Sequence, residues 1–137
     1  MEVSILTDNQ PGVHTGAEHG LSYFIEHGNS KILFDTGQSD LFLHNASLMG
    51  VSLDERDLII LSHGHYDHGN GLNHLSGGRL LCHPDCFVKR YRRVDRAYIG
   101  LKNSRDGLSV KFDLTTSRRP FPVSDMVLFL GEVPRCN

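Results

Sequence analysis

Four side chains able to bind a metal ion, His63, His65, Asp67 and His68, fall within six consecutive residues. Imidazole nitrogens joined by one carboxylate suit zinc, manganese or iron, whereas magnesium and calcium favour shells of oxygen. Zinc is the first expectation, as two ions, with manganese, iron or magnesium as the other candidates. Residues two apart in a strand-to-loop turn can point to the same side. His63 and His65 can therefore grip one ion while Asp67 and His68 turn towards a second, with Gly64 letting the backbone fold tightly between them. Two ions roughly 3.5–4 Å apart can share a hydroxide, because coordination lowers the pKa of water to about 7, and can polarise a carbonyl or phosphoryl oxygen. Asp67, the carboxylate of the cluster, is the candidate catalytic residue as well as a ligand.

The elements that must position this cluster are short and mixed. Immediately before it, Leu58-Ile59-Ile60-Leu61 is a continuous apolar run, the pattern of a strand buried on both faces and central in its sheet. Upstream, Glu2 to Thr7 alternates polar and apolar residues. Leu21 to Glu26 and Lys31 to Phe34 are further runs of strand formers, with HGNSK as the hairpin loop between them. Ser39 is placed to cap a helix with Leu41, Phe42, Leu48 and Met49 on its apolar side, Asn45 as the polar exception and Gly50 as its end. Downstream the pattern predicts a short helix over Leu72 to Leu75, a strand over Arg79 to Cys82, a helical turn over Pro84 to Arg90 and a late strand over Met126 to Leu130. This order is α/β. Residues 89 to 107 are basic and poorly periodic, which reads as a solvated surface loop; the functional alternative is a loop that holds the anion of a phosphorylated substrate.

Composition narrows the class. The 137 residues are 39% hydrophobic and 22% charged, which suits one globular domain spanning 1 to 137. A net charge of −2 gives no basic excess for nucleic acid. Three cysteines without a regular framework read as reduced thiols, so the expected compartment is the cytoplasm. The amino terminus lacks the pattern of a signal peptide, and no apolar run approaches the roughly 18 residues of a membrane span. There is no Walker pattern, no GxGxxG after a strand and no GxSxG elbow. Cys82-His83-Pro84-Asp85-Cys86 has no second cysteine pair and reads as a strand end followed by proline at a helix start. Taken singly, His14, His27, His44 and His74 read as ordinary surface or core side chains.

The segment Leu61-Ser62-His63-Gly64-His65-Tyr66-Asp67-His68-Gly69 resembles the signature of the metallo-β-lactamase superfamily. That resemblance implies an αββα sandwich with its metals at one edge. Asp35, in Ile32-Leu33-Phe34-Asp35-Thr36-Gly37, is similar to the family's acidic residue beside the metals, which implies a role as partner to a ligand histidine; by itself it reads as a turn residue ending a strand. Further segments, Thr7-Asp8-Asn9, Ala17 to Ser22, Ile32 to Gln38 and Gly131-Glu132-Val133-Pro134-Arg135, resemble the branch of the 7,8-dihydropterin-6-methyl-4-(β-D-ribofuranosyl)aminobenzene-5′-phosphate synthases. By that resemblance Asp8, Asn9 and His19 are candidates to line a substrate cleft, and His83 lies in a similar His-Pro element.

Full members of the superfamily continue well past this length and supply further ligands from a second half. The expectation is therefore the first half of the sandwich, with two protein donors per ion and with a sheet edge and an apolar face left uncovered. A longer reading frame, a second chain or a homodimer would complete it. The expected activity is hydrolysis of a small molecule by metal-activated water. The alternatives are a pterin-related transferase, in which the metal would stabilise a diphosphate leaving group as an amine-bearing aromatic attacks, and a non-catalytic remnant or binding module.

Overall fold

Six strands form one mixed sheet in chain order: β1 (Glu2–Thr7), β2 (Ser22–His27), β3 (Ser30–Phe34), β4 (Leu58–Leu61), β5 (Arg79–Cys82) and β6 (Asp113–Thr116). The computed structural model describes residues 1 to 134 of the chain; Arg135, the last residue of the Gly131 to Arg135 segment, lies outside the described residues. β1 to β3 are antiparallel neighbours and β3 to β6 run parallel. Antiparallel strands close with a tight turn, whereas parallel ones need a crossover. Gly28, at φ 58°, supplies the first with Asn29, so the loop between β2 and β3 is tighter than the HGNSK loop expected. Helix α1 (Leu41–Met49) crosses between β3 and β4. The motif helix α2 (Tyr66–Gly69) and a 3-10 turn over Asn70–His74 lead to β5, and α3 (Arg105–Lys111) precedes β6.

Register sorts the side chains by face, because paired residues point the same way. One row runs Ser4, Phe24, Leu33, Ile59, Leu80 and Leu114. It faces the helices and joins Leu6, Phe42, Ala46, Leu72, Leu108 and Phe112 in the larger core. β4 sits inside the sheet with all four side chains buried, as its unbroken apolar run requires. Asn45 is buried in this layer because its amide group is fully used: Nδ2 donates to the Leu6 and Gly16 carbonyls, and Oδ1 accepts from Gly16 N–H. Leu48 and Met49 are exposed instead of forming the apolar side of α1, whose buried residues are Phe42, Asn45 and Ala46. The capping position is Asp40, while Ser39 Oγ still accepts from Leu41 N–H at 3.1 Å.

The opposite face is also apolar. Val3, Ile25, Ile32 and Leu58 form one row, and Ile5, Tyr23, Phe34, Ile60 and Leu81 the next. A hairpin of β7 (Phe121–Ser124) and β8 (Val127–Phe129) folds over part of it, packing Phe121, Val123, Val127 and Phe129 against Ile32, Leu58, Ile60 and Leu81. The face expected to lie open is thus partly covered from within the chain. Cover stops towards β1, where Val3 is 47% and Ile5 51% exposed, and an apolar cavity of about 560 Å³ lies between Ile25, Phe34 and the hairpin. No helix among the described residues is long and apolar enough to cross a membrane.

Candidate metal centre

The cluster sits where β4 ends. Leu61 is the last strand residue, Ser62 to His65 turn outward, and α2 begins inside the motif at Tyr66, earlier than the helix expected over Leu72 to Leu75. Gly64 permits the turn to pack against the next strand's exit: a Cβ at that position would lie 1.9 Å from the Cys86 carbonyl oxygen. Neighbouring segments fix the motif backbone. Leu21 N–H donates to the Asp67 carbonyl, Thr36 N–H to the His68 carbonyl, and Tyr66 N–H to the Ile99 carbonyl. The basic excursion therefore also acts as a clamp, since it bridges His65 to Gly100 and donates from Lys102 N–H to Asn70.

The candidate side chains converge. His63 Nε2 is 3.0 Å from His65 Nδ1, and the His63 and His68 rings are 4.2 Å apart at their centroids. His68 Nε2 lies 3.6 Å from Asp67 Oδ2, and His19 Nε2 3.3 Å from the same oxygen. Asp35 enters from the end of β3, fully buried and held at φ 56°, with its N–H on the Ile60 carbonyl. Its Oδ1 accepts from Ser62 N–H at 2.8 Å, and its Oδ2 meets Ser62 Oγ at 2.6 Å and His68 Nδ1 at 2.7 Å. A histidine whose Nδ1 is held by a carboxylate presents Nε2 outward in a fixed orientation, the arrangement that supports a metal-binding imidazole. Ser62, which also touches His63 Nδ1 at 2.9 Å, was not singled out in the sequence although it lies inside the motif.

Burial, with the neighbouring His68 and His65, holds the His63 pKa below the ordinary histidine value. Its ring is thereby kept neutral, the state in which a nitrogen lone pair is free to bind a cation. For His68, burial again disfavours the charge, but the hydrogen bond and charge of Asp35, aided by Asp67, outweigh it and raise the pKa. Among the described residues no three acidic, histidine or cysteine side chains are arranged around one metal position. The reason is local: His63 and His65 are hydrogen-bonded to each other. The donor set of imidazoles and one carboxylate nevertheless fits a zinc-like ion in kind, and the Asp35–Ser62 network supplies the outer support such donors need.

The other candidates separate. His83 shares a cavity of about 530 Å³ with Ser62, His63, Cys86, Arg90 and Glu132. Asp8 lines a different, smaller cavity beside Asn45, and its carbonyl accepts from Glu18 N–H. Asn9 Oδ1 accepts from Gly20 N–H. Glu18, also missed in the sequence, ties the loop after β3 in place: Oε1 accepts from Gln38 and Ser39 N–H and Oε2 from Ser39 Oγ. Cys82 and Cys86 are buried free thiols.

Residues 15 to 78 match the family described as the metallo-β-lactamase superfamily. With the sheet and the motif at its edge, the match makes this the superfamily that the chain resembles in both sequence and fold. The similarity then runs to particular members. The chain is 35% identical over 139 residues to an uncharacterized protein of Methanocaldococcus jannaschii, covering 97% of this chain and 54% of that protein. It is 41% identical over 133 residues to the 7,8-dihydropterin-6-methyl-4-(β-D-ribofuranosyl)-aminobenzene-5′-phosphate synthase of the same organism, covering 85% of this chain and 45% of the synthase. Among solved structures, Tm1679, described as a metal-dependent hydrolase of the β-lactamase superfamily, superposes with a TM-score of 0.79 at 29% identity, over 94% of this chain and 47% of that one. The chain spans about half the length of these relatives.

Proposed function

We propose that this chain carries the metal-binding edge of a hydrolase-type domain acting on a small molecule, with His63, His65, Asp67 and His68 as ligands of two zinc ions. The observation that carries the reading is the convergence of those four side chains at the end of β4, with buried Asp35 orienting His68. Manganese or iron would suit the same donors, and magnesium less well. When bound, such ions supply Lewis acidity and an activated water at neutral pH. The residues do the rest. Asp35 and Ser62 fix the rings, His63 offers a neutral imidazole, Asp67 places a carboxylate beside His68 and His19, and the backbone bonds to Asp67 and His68 hold the turn rigid.

Support for the hydrolytic reading comes from the similarity to Tm1679. A second reading, a pterin-related transferase, is supported by the 41% identity to the synthase. The assay that separates them offers the zinc-loaded protein a panel of esters, lactones and phosphoesters beside a dihydropterin diphosphate with a 4-(β-D-ribofuranosyl)aminobenzene 5′-phosphate acceptor. Hydrolysis that is lost in His65→Ala supports the first; diphosphate release that requires the aromatic amine supports the second. Zinc-loaded protein without either activity supports a non-catalytic binding module.

Each ion would receive only two of these four donors, fewer than the three of an ordinary catalytic zinc site. The reading therefore includes a second layer, from a continuation of this chain, another copy or another chain, seated on the apolar face near Val3 and Ile5 and completing the domain. The buried thiols Cys82 and Cys86 suit the reducing cytoplasm.

A further inference from the structure

The cavity beside the cluster contains a hydrogen-bond donor without an acceptor. His83 occupies the N-cap of the 3-10 turn Pro84–Phe87, and its Nδ1 accepts from Asp85 N–H at 3.1 Å. A nitrogen that accepts carries no proton, so the neutral ring must carry its hydrogen on Nε2. That Nε2 is buried and has no hydrogen-bond partner among the described residues. Glu132 Oε2 is 3.9 Å away, beyond bonding range. It is drawn instead towards Arg118, whose guanidinium also holds both oxygens of Asp85. One guanidinium thus spans both carboxylates of this cavity and offsets one of their two charges. Arg90 adds a cation, anchored on the carbonyls of Asp85, Cys86 and Val88. His63 forms the wall on the metal side.

A buried donor left without an acceptor is costly, and native proteins supply one. We infer that this cavity is the substrate subsite of the centre, in which His83 Nε2–H donates to a carboxylate or phosphate oxygen of the substrate, with Arg90 as the neighbouring cation and with Arg118 holding the carboxylates of Asp85 and Glu132. His83 is then a positioning residue that directs the substrate towards His63. The inference rests on the metal-centre reading only in naming the bound molecule a substrate; the anion site itself stands on His83, Arg90 and Arg118.

The test uses the full chain without metal, titrated with inorganic phosphate and separately with acetate, and followed by the NMR signals of the His83 ring. Asn caps helical turns well, so His83→Asn keeps the cap, and its amide is too short to place an N–H where Nε2 stands. A saturable shift of the His83 Nε2–H signal is expected in the parent, and the anion affinity read in both proteins from the Cys86 backbone amide and the Arg90 side chain should fall about tenfold or more in His83→Asn, the value of one hydrogen bond to a charged group. The melting temperature of that variant should stay within about 2 °C of the parent. A shift with phosphate assigns a phosphate ester as the substrate group, and a shift with acetate a carboxylate. Absence of a saturable shift with both anions, or equal affinity in a folded His83→Asn, overturns the inference. Zinc uptake by the parent chain, measured on the same preparation, reports on the metal reading separately: full uptake by a parent that binds neither anion removes this inference alone.

Discussion

Asp35 and Gly64 show how much of the centre depends on residues that offer no ligand atom. Asp35 is the acceptor for Ser62 N–H and the partner of both Ser62 Oγ and His68 Nδ1, so one buried carboxylate sets the direction of the motif's first and last residues. Asp35→Asn leaves the volume unchanged but removes the charge behind His68. Zinc affinity, measured by competition with a chromophoric chelator, should fall about 10- to 100-fold, the usual cost of losing such outer support. Gly64 is a steric case. Its neighbour is a backbone carbonyl that cannot rotate away, so Gly64→Ala forces β4 and the Cys86 turn apart. Urea unfolding should show a loss of about 3 kcal/mol, at the upper end of overpacking costs. Both roles had a partial signal in the sequence. The glycine lies between two histidines, and Asp35 resembles a family position, but neither the Cys86 contact nor the Ser62 network can be read from a linear chain because the partners are more than 20 residues apart.

At the scale of elements, legibility followed the strength of the periodic signal. β4, β5 and the two halves of the first hairpin were visible because their apolar runs are unbroken or alternate cleanly. α3, β6 and β7 were not, since Arg105–Lys111 and Asp113–Thr116 are polar and owe their form to contacts that only the sheet provides: Leu108 and Phe112 fill the core, and β6 borrows its ladder from β5. Helix α1 shows the same limit from the other side. Its apolar residues Leu48 and Met49 face solvent, while polar Asn45 is buried because Leu6 and Gly16 present unpaired backbone groups to it. Asn45→Leu would keep the volume and strand those groups. A destabilisation of about 2–3 kcal/mol is expected by thermal or urea unfolding, from buried polar groups left unsatisfied.

The whole molecule is a sheet with one finished face and one partly finished face. The helices close the first. The second has the β7–β8 hairpin over β3 to β5 and leaves Val3 and Ile5 in water, a face that the proposed second layer would bury. Light scattering should then show association that Val3→Lys with Ile5→Lys shifts to monomer, with little change in melting temperature at dilutions where the parent is itself monomeric and both side chains are exposed. A monomer at every concentration in the parent would argue against self-association and leave a continuation of the chain or another chain as the source of the layer. The central claim, that the edge of this sheet holds metal, is tested most directly by elemental analysis of the purified chain after equilibrium dialysis against a fixed concentration of free zinc, with His65→Ala run beside it. The account predicts about two zinc ions per parent chain and a marked loss in the folded variant. Negligible zinc in the parent, or equal zinc in both proteins, would contradict it.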